Sequence, residues 1–201
     1  MIWTGSHKRS GAPVAIQAAA VVLGAPAAEA HLMTTGLGPT YDGIWHFALS
    51  PDDAIPVLAL ALLAGLRGTA HSRRVLFVLP VAWLLGGLAG LVISAPPMPD
   101  TTWLFLIALG GLVAADLRLS TSATTILALV LGLFHGYLNG SGMPAMDPRP
   151  LVGIAATVFV LVALVSAGVV AVGWVPFRIG VRVAGSWAAA TGMLLFGWWL
   201  R

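Results

Sequence analysis

The chain has 201 residues, of which 59% are hydrophobic and 8% charged, and its mean hydropathy is +0.96. So little charge cannot cover a soluble domain of this length, and lipid is the solvent for most of these side chains. Ten basic residues spread along the chain, for a net charge of +3, argue against a nucleic-acid partner. The absence of cysteine excludes disulfides, iron–sulfur clusters and thiolate metal sites.

The first predicted element is a targeting segment. Lys8 and Arg9 precede an apolar run from Ala12 to Leu23, too short to span a bilayer comfortably, and Ala28-Glu29-Ala30 supplies the small residues a signal peptidase reads. Cleavage before His31 is expected. It divides the chain into a signal peptide, 1–30, and a membrane domain, 31–201, whose new N-terminus lies outside. An uncleaved anchor helix is the alternative.

Apolar runs follow at about 52 to 66, 75 to 94, 101 to 115, 122 to 139, 151 to 175 and 183 to 200. They predict an all-α fold, a polytopic membrane helix bundle of six transmembrane helices. With His31 outside, the inner loops hold Arg67, Arg73, Arg74, Arg118, Arg178 and Arg182, and the outer segments only Arg149 and Arg201. That asymmetry follows the positive-inside rule for a bacterial-type inner membrane, although the rule was not used to place the runs. Trp103, Trp198 and Trp199 fall near predicted interfaces as anchors.

Few ionisable residues lie near or within the runs: Asp42, His46, Asp52, Asp53 and His135. Such groups are costly in lipid and are functional candidates by default. The alternation of spans puts all five in the outer half of the membrane. Ser50-Pro51-Asp52-Asp53 also reads as a helix start, with Ser50 as N-cap and two carboxylates at the positive dipole end. Two carboxylates at one boundary repel unless they share a cation. On an unbroken helix His46 and Asp53 share a face and Asp52 does not, whereas a kink before Pro51 would let all three converge. His135 and Asn139 lie four apart on one face, among Gly132, Gly136 and Gly140, whose spacing allows close helix contact. For His135 an interhelical hydrogen bond is the structural alternative to a metal bond.

These stretches resemble the HupE/UreJ family, membrane proteins associated with hydrogenase and urease accessory functions and regarded as nickel or cobalt permeases. The family pattern has a signal peptide ending before a His, a first-helix motif HxxxxxDH and a fourth-helix motif close to FHGxxHG. Here the first runs from His46 to Asp52 and Asp53, with Asp53 in place of the second His. The second runs Phe134-His135-Gly136-Tyr137-Leu138-Asn139-Gly140, with Asn139 in place of its second His. Both departures exchange an imidazole for an oxygen donor, which makes the site harder and admits zinc, manganese or iron beside nickel and cobalt.

The resemblance implies a secondary permease for a divalent transition-metal ion. His31, Asp42 and His46 would receive the hydrated ion, and Asp52, Asp53, His135 and Asn139 would replace its water. No GxxxxGK[ST] motif is present to couple transport to a nucleotide, and no enzymatic role is expected. The expected partners are the lipid bilayer, the ion, and a second copy of the chain or metalloenzyme-maturation proteins. A non-transporting accessory or scaffold subunit is the competing reading. A bis-imidazole haem protein built on His46 and His135 is a third, disfavoured by the flanking carboxylates.

Overall fold

Backbone polar groups in lipid must be satisfied within their own segment, which favours helices for these runs of Leu, Val, Ala and Gly. The computed structural model describes residues 34–93, 101–143, 146–172 and 174–201. The expected cleavage site and His31 lie outside them. Every regular element among the described residues is an α-helix: α1 Pro39–Leu49, α2 Pro51–Arg67, α3 Thr69–Val92, α4 Thr102–Ala114, α5 Thr121–Ser141, α6 Arg149–Val172 and α7 Val175–Trp199. The protein is an all-helical, polytopic membrane bundle.

The six expected runs coincide with α2 to α7, but their lengths differ from six equal crossings. Helices α3, α5, α6 and α7 are each long and apolar enough to traverse a bilayer. Helix α2 reaches that length only together with α1, across a bend of 75°. Helix α4 has 13 residues, about 20 Å at 1.5 Å per residue against a hydrocarbon core of roughly 30 Å. Length and composition therefore support four crossings, or five with the bent pair.

The bend has a local cause. Pro51 lacks the N–H that would continue α1, and it drives the residue before it out of helical geometry. Ser50 accordingly sits at φ −100°, ψ 92°. Its hydroxyl does not cap α2 as expected but donates to the His46 carbonyl at 2.7 Å, closing α1 instead.

Helix α2 occupies the centre and touches all six other helices. Its buried side chains, Val57, Leu60, Ala61, Leu63 and Ala64 among them, cover most of its circumference, as a helix surrounded by others requires. Helices α3 and α5 lie parallel, because Gly86 meets Leu133 and Gly90 meets Tyr137 in the same direction. The expected glycine seam is what joins them: a Cβ at Gly136 would overlap the Trp83 carbonyl, and one at Gly140 the Gly87 carbonyl. Gly136→Val therefore forces two backbones apart. We expect it to abolish the monodisperse folded species in detergent chromatography, with Gly111→Ala unchanged because nothing stands within 4 Å of that position.

At one end of the bundle Arg67 pairs with Asp116, which also meets Arg178 at 3.3 Å, while Arg182 donates to the Ala114 carbonyl at 2.9 Å. Asp116 turns the chain with φ 51°. This knot gathers the ends of α2 and α4 and the start of α7, joining arginines from two of the loops that the sequence assigns to a common side to Asp116 and Ala114 at the third.

Candidate metal site

At the opposite end of α2, the first turn carries two carboxylates with different surroundings. Successive helical residues point about 100° apart, so Asp52 is exposed while Asp53 is turned into the bundle and only 6% exposed. Helix α5 delivers His135 and Asn139 to it from one face. The His135 Nδ1 lies 2.8 Å from Asp53 Oδ1, and Asn139 Nδ2 donates to Asp53 Oδ2 at 3.0 Å. Helix α3 adds Trp83, fully buried, whose indole N–H donates to Asn139 Oδ1 at 3.2 Å.

These contacts set the roles of the atoms. Indole nitrogen only donates and a carboxylate only accepts, so the Asn139 amide orientation is fixed from both sides. Facing a carboxylate, Nδ1 is the donor, an arrangement that in the neutral tautomer leaves the ring's lone pair on Nε2. That atom is buried and has no hydrogen-bond partner among the described residues, and His135 as a whole is 2% exposed. Its surroundings are rings: Trp83, Phe105 and Phe134 have centroids 5.6, 5.0 and 5.7 Å from the imidazole. Phe47 of α1 lies edge-on against Trp83 at 5.8 Å, so α1 covers the cluster. A carboxylate behind one nitrogen of a histidine whose other nitrogen is unengaged is the arrangement that orients an imidazole toward a metal.

Of the other expected ligands among the described residues, Asp42 and His46 lie on α1 and Asp52 in the first turn of α2. Asp42 accepts from the Thr35 amide and hydroxyl at 2.7 and 2.6 Å, tying the chain to the start of α1. His46 is half-buried on α1, beyond the bend. The kink at Pro51 is present, yet among the described residues no group of three His, Asp or Glu side chains assembles to hold a metal. The site thus brings together Asp53, His135 and Asn139, and neither His46 nor Asp52 completes a ligand group with Asp53 and His135. Asp147, in the segment before α6, is engaged by Arg149, whose side-chain and backbone hydrogen bonds hold its carboxyl below the ordinary carboxylate range.

Sequence reasoning missed Trp83. Its signal was a lone Trp within an apolar run and away from either interface, where the N–H must find an acceptor inside the bundle.

The family model described as HupE / UreJ protein matches residues 19–195. Protein HupE of Rhizobium leguminosarum bv. viciae is 28% identical over 170 residues, covering 78% of this chain and 83% of the relative. No solved structure matches. The two positions where the chain departs from the family pattern, Asp53 and Asn139, are hydrogen-bonded to each other. One departure meets the other.

Proposed function

The chain belongs to the HupE/UreJ family, and on that premise we propose that it is a permease for a divalent transition-metal ion in which His135 Nε2 is the nitrogen offered to the cargo. The observation that carries this reading is a buried imidazole nitrogen with no partner, on a ring whose other nitrogen is held by a buried carboxylate. An unpaired acceptor in such a place costs about 1–3 kcal/mol, a cost that a bound cation removes. Imidazole suits nickel and cobalt, the family's cargo, while the carboxylate and amide beside it leave zinc, manganese and iron as competitors.

In this reading Asp42, His46 and Asp52 form the approach and Asp53 with His135 the inner station. Because α1 covers the ring cluster, loading requires α1 to move, and the bend at Ser50-Pro51 is the joint on which it would do so. Release to the other side requires the Arg67–Asp116–Arg178 knot to open. Purified protein in liposomes should take up radioactive nickel saturably against empty liposomes. Absence of uptake, with cobalt, zinc and manganese equally inert, would reject transport. The second reading, a non-transporting accessory subunit of metalloenzyme maturation, draws on the absence of a three-ligand group among the described residues.

The proposed orientation in the inner membrane places the Arg67 to Arg74 loop in the cytoplasm and the segment after Asn139 outside. Cysteines placed singly at Ser72 and Ser141 test it: an impermeant maleimide should label Ser141→Cys in intact cells and Ser72→Cys only after permeabilisation. Labelling of Ser72→Cys in sealed cells reverses the orientation.

A further inference from the structure

We infer that Trp83 is a positioning residue of the cation site, acting through Asn139 and Asp53 on His135. This rests on the reading of His135 as the cargo-binding imidazole. Three contacts of 3.2, 3.0 and 2.8 Å form one unbranched chain: indole N–H to amide oxygen, amide NH2 to one carboxylate oxygen, and the other carboxylate oxygen to Nδ1. Trp83, Asp53 and His135 are buried and Asn139 is half-buried, so water is kept from the Asp53–His135 contact and has only partial access to the two contacts of the amide.

The order of donors gives the chain a direction. The indole can only donate, so it holds the amide oxygen and leaves the amide NH2 for Asp53. Each oxygen of Asp53 thereby has its own donor, and the carboxylate is clamped in the plane that meets Nδ1. The consequence for the cation is negative as well as positive. The Asn139 carbonyl oxygen and both Asp53 oxygens each already accept a hydrogen bond, whereas His135 Nε2 has no hydrogen-bond partner among the described residues. Asp53 and Asn139 thus hold the imidazole from behind, and among the described residues no third His, Asp or Glu joins the pair to form a metal-holding group.

Without the indole N–H the half-buried amide loses the donor that fixes its oxygen, and it is free to rotate about its last bond. Asp53 then loses one of its two fixed donors, and the imidazole loses the rigid backing that sets its direction and basicity. Trp83 also packs against His135 and Phe47 through its ring, so a test must remove the N–H and keep the ring. Trp83→Phe does so with some loss of volume. Incorporation of 3-benzothienylalanine at position 83 keeps the bicyclic shape, replaces N–H by sulfur, and serves if Trp83→Phe does not assemble.

The measurement is cobalt(II) chloride titration of the purified full chain, read by the visible d–d bands, for wild type, Trp83→Phe, Asn139→Leu and the double variant. Each single change should weaken cobalt binding about 10-fold, at the lower end of the cost of losing an outer partner of a metal-binding histidine. The double variant should bind no more weakly than Asn139→Leu alone, because Trp83 acts only through Asn139. Wild-type affinity in Trp83→Phe, or losses that multiply in the double variant, would overturn the inference. If the wild type itself gave no cobalt band, the reading of His135 would fail first, and the two failures are thereby distinguished.

Discussion

His135→Gln is expected to lower nickel and cobalt uptake at least about 100-fold while leaving a folded protein in the membrane. Glutamine keeps an N–H that can reach Asp53, so the buried carboxylate retains both donors, but it has no ring nitrogen to offer. The loss exceeds the 10–100-fold typical of an outer partner because the atom removed is itself the ligand. Initial rates in proteoliposomes, normalised to protein recovered by detergent chromatography, check this. Uptake within a few-fold of wild type would mean that His135 is an interhelical hydrogen-bonding residue and no more.

The second large effect separates two adjacent carboxylates. Asp53→Leu strips His135 Nδ1 and the Asn139 amide of their common acceptor inside the bundle. Removing one member of a buried, hydrogen-bonded pair costs about 3–5 kcal/mol, a large share of a total stability of roughly 5–15 kcal/mol. Asp53→Leu should therefore both abolish cation binding and sharply lower the unfolding temperature in detergent. Asp52→Leu, on the exposed side of the same turn, should lower the unfolding temperature less than Asp53→Leu does and reduce uptake by weakening the approach of the cation. Equal destabilisation by the two changes would contradict the inward placement of Asp53.

Much of this architecture is legible in the chain because lipid imposes simple rules. Uninterrupted apolar runs map onto α2 to α7, and Pro51 breaks the chain where its missing N–H says it must. The seam of Gly132, Gly136 and Gly140 lies where its spacing predicts close helix contact. The pairing of His135 with Asn139 on one face follows from their separation of four. Three features depend on information that is not local. Which of Asp52 and Asp53 faces inward depends on how α2 is rotated in the bundle, and one residue changes that by about 100°. The meeting of Asp53 with His135, 82 positions apart, depends on α5 lying parallel to α3, a matter of tertiary packing. The amide of Asn139 is set by Trp83, on a helix whose sequence carries no motif. The expectation of one cluster holding His46, Asp52, Asp53 and His135 treated the Pro51 kink as a means of convergence. The bend of 75° lies between α1 and α2, and α1 packs across the start of α6, where Gly43 meets Pro150 and Gly153 meets Thr40.

The central claim is that the ion bonds directly to His135. X-ray absorption of nickel-loaded protein tests it on the ion itself, since an imidazole ligand adds multiple-scattering features that carboxylate, amide and water do not. One imidazole is expected in the nickel shell of the wild type and none in His135→Gln. A shell of oxygen ligands alone, identical in the two proteins, would contradict it.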